Sequence, residues 1–366
     1  MLKLLHTADL HLDSPFDALG DTLAIRRRAE QRKLLGHILS LAEEQGAALL
    51  LLAGDLLDSD SAYAETSGLL LEVFAGTSLE IFIAPGNHDP CTRLSPWTRL
   101  KFPPNVHIFR KNAVECVELP SLNLRVFGAG FEQSFAPPLL RGVEVKKLPG
   151  VTDVMVLHGD LNSEASPYNP ISEDDIAQSG MDYIALGHVH AGTGLKRAGR
   201  THYAYSGCPE GRGFDECGEK TVIEAEVGPG VCRARALPVG GRQYEILNVD
   251  LTGAVDPAQK LRRSLPEDTA QDIYRILLTG ECAAPLNLGA LREMLSPLFF
   301  SLQLRDTTRP AEKLWARAGE DTLRGLFLTR MKRLYDGAEN EIQREIVVSA
   351  LRYGLAAIDN AEEPRT

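Results

Sequence analysis

The chain has 366 residues, of which 44% are hydrophobic and 24% are charged, and its formal net charge at pH 7 is −11. This composition is typical of a globular protein longer than one usual domain, and it excludes a low-complexity chain. The acidic balance argues against a protein that binds duplex DNA by itself, because such binding normally depends on a basic surface.

Neither a secretory signal nor a membrane span is predicted. His6 and Asp9 interrupt the first apolar run before it reaches the roughly 7 to 15 residues that a signal peptide needs. The most apolar stretch, residues 47–53, is far shorter than the roughly 20 residues that cross a bilayer. The six cysteines show no C-x-x-C spacing and are interpreted as reduced thiols. We therefore expect a cytoplasmic protein without a membrane partner.

Strands that alternate with helices are predicted along the first 240 residues. The first strands are predicted at 2–6, 48–53, 79–84, 106–109, 113–118 and 123–128, with helices at 26–45 and 63–76. This βαβα opening implies that part of the sheet is parallel. A second sheet is expected from five later strands, at 153–158, 182–186, 201–205, 220–227 and 231–236.

A domain boundary is predicted near residues 238–241, where proline and two glycines follow the last core strand. The first domain is thus assigned to residues 1–240. A β/α/β pattern assigns residues 241–287 to a small α/β domain, with strands at 244–251 and 272–279 around a helix at 256–265. Residues 288–366 are predicted to be mostly helical. Apolar side chains at helical spacing over 338–359 indicate a helix that packs within the chain or binds a partner.

Five short polar motifs each follow an apolar, strand-like run. They are Asp9-Leu10-His11, Gly54-Asp55-Leu56-Leu57-Asp58, Gly86-Asn87-His88-Asp89, His158-Gly159-Asp160 and Gly187-His188-Val189-His190. Each motif alone is weak, because Asp and His are common at strand ends. In series, however, they contain five of the nine histidines, which independent turns do not predict. The set indicates a site for two divalent metal ions.

The residue types in these motifs suit such a site. Asp9 and His11 are two residues apart at a strand end, so both side chains can leave on the same side, and His188 and His190 repeat this spacing. Two ions need one carboxylate that bridges them, and Asp55 is our candidate. Imidazole mixed with oxygen ligands suits manganese, iron or zinc better than magnesium. We expect two Mn²⁺ ions, with iron or zinc as alternatives.

The ordered motifs resemble the calcineurin-like metallophosphoesterases and, more narrowly, the SbcD/YhaO type of DNA repair exonuclease. The narrower resemblance rests on the stretches that surround the motifs, which are residues 6–16, 168–171, 182–190 and 205–220. The last stretch departs from the usual pattern at Ser206 and Cys208, neither of which is a predicted ligand. The resemblance is good over residues 1–240 and poor beyond them.

The resemblance implies an α/β fold: a two-sheet sandwich flanked by helices, followed by a small α/β capping domain and C-terminal helices. It also implies two ion sites that share Asp55. Their ligands would be Asp9, His11, Asp55 and His190 for one ion and Asp55, Asn87, His158 and His188 for the other.

The same resemblance assigns His88 to the scissile phosphate, with Asp58 as its carboxylate partner. A carboxylate beside an imidazole favours the protonated ring, which could stabilise charge on the phosphate or donate to the leaving oxygen. The alternative is that His88 only orients the neighbouring ligand Asn87.

The function implied by the resemblance is a two-metal phosphodiesterase that acts on DNA, as an exonuclease or endonuclease subunit in DNA repair. Its partners would be DNA, an SMC-like ATPase subunit and a second copy in a homodimer. The sequence has no G-x-x-x-x-G-K-[ST] pattern, so the partner would supply the ATP site. Two alternatives are an enzyme for a small phosphoester or cyclic nucleotide and a non-catalytic scaffold. The complete set of ligands argues against the scaffold.

Overall fold

The structure is a computed structural model that describes residues 1–282, 286–310 and 315–358. The chain forms two compact units, Met1–Gly241 and Arg242–Thr366. Within the described residues, no helix combines the length and the apolar character that a membrane crossing requires.

The first unit contains fourteen strands and four helices. The strands are β1 Leu2–Thr7, β2 Leu49–Leu52, β3 Glu80–Ile83, β4 Val106–Ile108, β5 Glu115–Leu119, β6 Leu124–Gly128, β7 Thr152–His158, β8 Asp160–Leu161, β9 Pro170–Ile171, β10 Tyr183–Gly187, β11 Lys196–Ala198, β12 Thr201–Tyr205, β13 Thr221–Gly228 and β14 Val231–Pro238. The helices are α1 Asp21–Glu44, α2 Ala64–Ala75, α3 Pro96–Arg99 and α4 Glu173–Ser179.

Two six-stranded sheets make up this unit. The order of the first sheet is β14-β13-β1-β2-β3-β4, and the order of the second is β11-β12-β10-β7-β6-β5. Strands β1 to β4 are mutually parallel, as are β6, β7, β10 and β12. The α/β two-sheet architecture predicted from the sequence is confirmed.

The assignment of the last two strands to the second sheet was wrong. Strand β13 lies antiparallel to β1, with Leu4 opposite Ala225, and β14 follows it as the edge of the first sheet. Strands β5 and β6 belong to the second sheet instead. The apolar pattern of a strand indicates that it is buried, but it does not indicate which free sheet edge it joins.

The core lies in three layers that the two sheets separate. Strand β2 consists of four leucines, all buried, as expected for a central parallel strand covered on both faces. Leu49 and Leu51 pack in the layer between the sheets, whereas Leu50 and Leu52 pack against α1 and α2 on the outer face. A third layer covers the outer face of the second sheet and includes Ile176 of α4.

The second unit is built on a three-stranded parallel sheet. Its strands are β15 Tyr244–Asp250, β16 Ile273–Thr279, β17 Glu281–Cys282, β18 Ser301–Asp306 and β19 Arg309–Pro310, and its helices are α5 Pro257–Arg263, α6 Leu288–Leu295, α7 Leu323–Asp336 and α8 Glu341–Ile358. The sheet order is β15-β16-β18, with α5 and α6 as the crossover helices.

Strand β18 was not predicted; it lies within residues 288–366, which were predicted to be mostly helical. Polar and apolar residues alternate from Ser301 to Arg305, which is a short period-two signal that the prediction of a helical region did not use. Helices α7 and α8 pack together through Leu328, Met331, Leu351 and Leu355. The division into a capping domain at 241–287 and a separate helical region stays a prediction, and residues 359–366 of that region lie outside the described part.

A buried histidine joins the two sheets of the first unit. His6 of β1 is fully buried; its Nε2 donates to the carbonyl of Leu186 (3.2 Å), and its Nδ1 accepts from the hydroxyl of Tyr183 (2.9 Å). Burial lowers the pKa of His6 from 6.5 to about 3. The folded protein therefore contains His6 as the neutral ring.

This burial predicts a loss of stability in acid. Between pH 6.5 and 3 the unfolded chain binds a proton at His6 that the folded chain does not, so stability falls as the pH falls. Relative to a His6→Asn variant, the wild-type chain should lose up to about 1.4 kcal/mol of unfolding free energy per pH unit between pH 6 and 4.5. Urea titrations of both proteins in chelator measure this difference, and a constant difference across these pH values would contradict the prediction.

Candidate metal centre

The five polar motifs meet at one rim of the sandwich, where strands β1, β2, β3, β7 and β10 reach their carboxyl ends. The loops after β1 and β2 are hydrogen-bonded to each other, from the N–H of Asp9 to the carbonyl of Gly54 (3.0 Å) and from the N–H of His11 to the carbonyl of Asp55 (2.9 Å). Asp9, His11 and Asp55 have positive φ values of 55°, 46° and 49°. Such backbone strain in non-glycine residues is concentrated at functional sites.

Two glycines allow the loops to approach this closely. A Cβ atom at Gly54 would lie 2.4 Å from Nδ1 of His158, and a Cβ atom at Gly86 would lie 2.3 Å from Oδ1 of Asp55. Since real Cβ contacts are essentially never this short, any side chain at either position would displace a predicted ligand.

Four predicted ligands converge on one point. Nε2 of His158 lies 3.0 Å from Oδ1 of Asn87, 3.3 Å from Nδ1 of His188 and 3.4 Å from Oδ2 of Asp55. Nδ1 of His188 is also 3.2 Å from Oδ1 of Asn87. These four atoms belong to residues at or just beyond the carboxyl ends of strands from both sheets.

The hydrogen bond on the far side of His158 sets the tautomer of its ring. Nδ1 lies 2.9 Å from the carbonyl of Ala53, which can only accept, so Nδ1 carries a proton. In the neutral ring, Nε2 then has a lone pair that faces the oxygens of Asn87 and Asp55. Facing lone pairs repel one another, and a cation between them converts the repulsion into coordination. The donor set therefore fits a divalent metal ion.

The other predicted ligands surround a second point. Nε2 of His11 lies 3.8 Å from Oδ2 of Asp55, and Nε2 of His190 lies 4.0 Å from Oδ1 of Asp9. One ligand atom from each of Asp9, His11 and His190 lies within 4.8 Å of the others. In the described part of the chain, the buried Nε2 of His11 has no hydrogen-bond partner, as expected for a ligand atom.

A carboxylate behind each of these two histidines sets its orientation. Nδ1 of His11 lies 3.1 Å from Oδ1 of Asp58, and Nδ1 of His190 lies 2.7 Å from Oε1 of Glu216. When each Nδ1 donates to its carboxylate, Nε2 is left with a lone pair for an ion. The hydrogen bond to Glu216 raises the pKa of His190 above its usual value.

Asp55 lies between the two sets of predicted metal ligands. Its Oδ2 lies 3.4 Å from Nε2 of His158 on one side and 3.8 Å from Nε2 of His11 on the other. Its Oδ1 accepts from the backbone N–H of His88 (2.9 Å). This position is the one that a bridging carboxylate needs.

The predicted pair between His88 and the Asp58 carboxylate is not formed. Nδ1 of the exposed His88 lies 3.2 Å from the backbone carbonyl of Asp58. The Asp58 carboxylate is instead occupied by His11, Ser14 (3.0 Å) and Arg212 (3.3 Å). The sequence motifs indicate that Asp58 lies near His11 and His88. They do not indicate which of the two rings binds its carboxylate.

Asp89 was part of a motif but was given no role. This buried carboxylate accepts from the backbone N–H groups of Gly86 (2.7 Å), Asp55 (3.2 Å), Leu56 (2.9 Å) and Leu57 (3.2 Å). It thereby ties the loop after β2 to the loop after β3. Burial, with the neighbouring Asp55 carboxylate, raises the pKa of Asp89 to about 7. Because Asp89 belongs to the Gly86–Asp89 motif, the sequence could have identified it as a site residue.

Glu216 and Arg212 were also missed as site residues. Both lie in the stretch 205–220 that carried part of the family resemblance, but neither follows a strand as the other motifs do. Arg212 donates to Asp58 (3.3 Å) and to Glu216 (3.0 Å), so it lies among the groups behind the ligands.

The family model described as calcineurin-like phosphoesterase matches residues 2–192 of the chain. The chain belongs to this family. Its members are metal-dependent phosphoesterases with a two-metal centre. The chain is 31% identical over 364 residues to a protein of Bacillus subtilis (strain 168) named "Uncharacterized metallophosphoesterase YhaO". The match covers 94% of this chain and 87% of the relative.

Two further relatives are named as the SbcD component of the nuclease SbcCD. The protein of Bacillus subtilis (strain 168) is 26% identical over 270 residues, which are 62% of this chain and 67% of the relative. The protein of Rhodobacter capsulatus is 40% identical over 102 residues, which are 25% of this chain and 23% of the relative.

The centre predicts a pH dependence of metal binding. Burial opposes protonation of His158, but the Asp55 carboxylate outweighs it and raises the pKa of His158 to about 9. Since an ion at Nε2 must displace this proton, the association constant for Mn²⁺ should rise about tenfold per pH unit between pH 6.5 and 8.5. Anaerobic calorimetric titrations in buffers of different ionisation enthalpy should show proton release. Binding that is independent of pH over this interval would contradict the prediction.

Proposed function

We propose that this protein is a two-metal phosphodiesterase that acts on DNA, as the nuclease subunit of a DNA repair complex. The observation that supports it most is the position of Asp55 Oδ2 between the Nε2 atoms of His158 and His11. One ion would be held by Asp9, His11, Asp55 and His190, and the other by Asp55, Asn87, His158 and His188. Mn²⁺ is the proposed ion, because mixed nitrogen and oxygen ligands suit it.

The side chains around the ions would position a phosphodiester and handle its protons. Two bound ions would lower the pKa of water and neutralise charge on the phosphate. His88 is exposed beside the ligand Asn87, and its Nδ1 can donate to the carbonyl of Asp58. Its Nε2 is then free to hold a proton at the leaving oxygen.

The proposal of DNA as substrate is supported by the two relatives that are named as components of a nuclease. Because that name describes one chain of an assembly, it also supports a partner chain, which we propose to be an SMC-like ATPase. Such a partner would explain how a chain with a net charge of −11 acts on a polyanion, because the partner can supply the cationic contacts to the phosphates.

The acidic charge also favours a second candidate function. A small phosphoester or cyclic nucleotide needs no extended basic surface, so the same centre could hydrolyse it without a partner. This candidate uses the same metal ligands and the same role for His88.

Cleavage assays separate the two candidates. Purified protein with Mn²⁺ would be incubated with end-labelled linear duplex DNA and, separately, with bis(p-nitrophenyl) phosphate. We expect both to be cleaved, and His88→Ala to reduce hydrolysis by about 10² to 10⁴ while two ions remain bound. Asp55→Asn should lose both metal binding and activity, because both ions share this ligand.

The matched control is His37→Ala, which removes an exposed histidine of α1 and should leave both activities unchanged. Hydrolysis of the ester without any DNA cleavage, also in the presence of candidate ATPase subunits, would favour the small-substrate enzyme. A protein that binds two ions but hydrolyses neither substrate would contradict the proposed function.

A further inference from the structure

Arg212 lies behind the ion site formed by Asp9, His11, Asp55 and His190. Its guanidinium group uses two different nitrogens: Nη1 donates to Oδ1 of Asp58 (3.3 Å), and Nη2 donates to Oε1 of Glu216 (3.0 Å). Its backbone N–H donates to the other oxygen of Glu216 (2.8 Å). The side chain is 20% exposed.

The two carboxylates that Arg212 joins are the ones that orient ligands of this ion site. Asp58 accepts from Nδ1 of His11, whose loop follows β1 of the first sheet. Glu216 accepts from Nδ1 of His190, whose loop follows β10 of the second sheet. Arg212 therefore connects supports of two ligands that come from different sheets.

We propose that Arg212 is a positioning residue that holds His11 and His190 at the separation needed to bind one of the two ions. It acts through Asp58 and Glu216, and its Nη2 also lies 3.2 Å from Nδ1 of His190. The inference rests on the metal ligands of the proposed function, and it adds a residue that determines the affinity of one ion without being its ligand.

Charge supports this role. Asp58 and Glu216 are both largely buried, and together with Asp55 and Asp9 they surround His11 and His190 with negative charge. Glu216 accepts from both the backbone N–H and the guanidinium group of Arg212. An ionised Glu216 is the form that accepts from Nδ1 of His190 and leaves Nε2 for the ion.

The geometry requires arginine at this position. A guanidinium group presents two nitrogens in a fixed plane and can bond two carboxylates at the same time, whereas an ammonium group is a single point of charge on a flexible chain. Lysine at position 212 would reach one carboxylate and leave the other without a bond to residue 212. We therefore expect Arg212→Lys to retain only part of the Mn²⁺ affinity that Arg212→Gln loses.

Metal titration tests the inference independently of any substrate. Wild-type protein, Arg212→Gln and Arg212→Lys would be titrated with Mn²⁺ by calorimetry and by electron paramagnetic resonance, which distinguishes spin-coupled ion pairs from single ions. We expect Arg212→Gln to weaken one ion by about 10- to 100-fold and to leave the other within about threefold. In the electron paramagnetic resonance spectrum of Arg212→Gln, the signal of a single ion should replace the signal of the spin-coupled pair.

The His188→Ala background identifies which ion is affected. Loss of this ligand should leave only the ion held by Asp9, His11, Asp55 and His190, and addition of Arg212→Gln should then remove the remaining ion at the same Mn²⁺ concentration. The matched control is Arg233→Gln, which removes an exposed arginine of β14 and should leave both ions bound.

Three results would overturn the inference. Arg212→Gln with both ions at wild-type affinity would show that Arg212 does not position ligands. Unchanged ion binding with a raised KM for bis(p-nitrophenyl) phosphate would assign Arg212 to the phosphate. A lower melting temperature of the metal-free variant, with both ions weakened equally, would assign it a purely structural role. By contrast, a wild-type protein that binds two ions and hydrolyses nothing would contradict the proposed function alone.

Discussion

The convergence of electron-pair donors at one rim of the sandwich is the constraint on which the rest of the first unit depends. Nε2 of His158 lies 3.0 Å from Oδ1 of Asn87 and 3.4 Å from Oδ2 of Asp55, a geometry that repels unless a proton or a cation lies between the atoms. Rigid backbone holds these groups close together: glycines admit the close approach, Asp9 and Asp55 have left-handed backbone, and four N–H groups bind Asp89.

A second layer of acceptors determines which nitrogen of each histidine is available. The carbonyl of Ala53 and the carboxylates of Asp58 and Glu216 each lie within 3.1 Å of an Nδ1 atom, and in each case Nε2 is directed inward. This layer couples the two sheets, because Arg212 joins two of its members. The centre is therefore a property of the whole sandwich, and the affinity for an ion is sensitive to residues that never touch it.

The sequence predicts the metal ligands at the rim well, but it predicts poorly the residues that orient these ligands. Motifs at the ends of β1, β2, β3, β7 and β10 could be located because the carboxyl ends of parallel strands meet at one edge. The structure brings all seven predicted ligands to that edge. The partner of Asp58 could not be predicted, since it depends on loop geometry at the level of single atoms. Strands β13 and β14 were found but assigned to the wrong sheet, because burial does not specify a neighbour.

The central claim is that the first unit binds two ions bridged by Asp55. Anomalous diffraction from crystals grown with Mn²⁺, measured on both sides of the manganese absorption edge, tests it most directly. We expect two anomalous peaks about 3.5 to 4 Å apart, with Asp55 between them and the Nε2 atoms of His11 and His158 on opposite sides. A single peak, or two peaks that share no carboxylate, would contradict this claim.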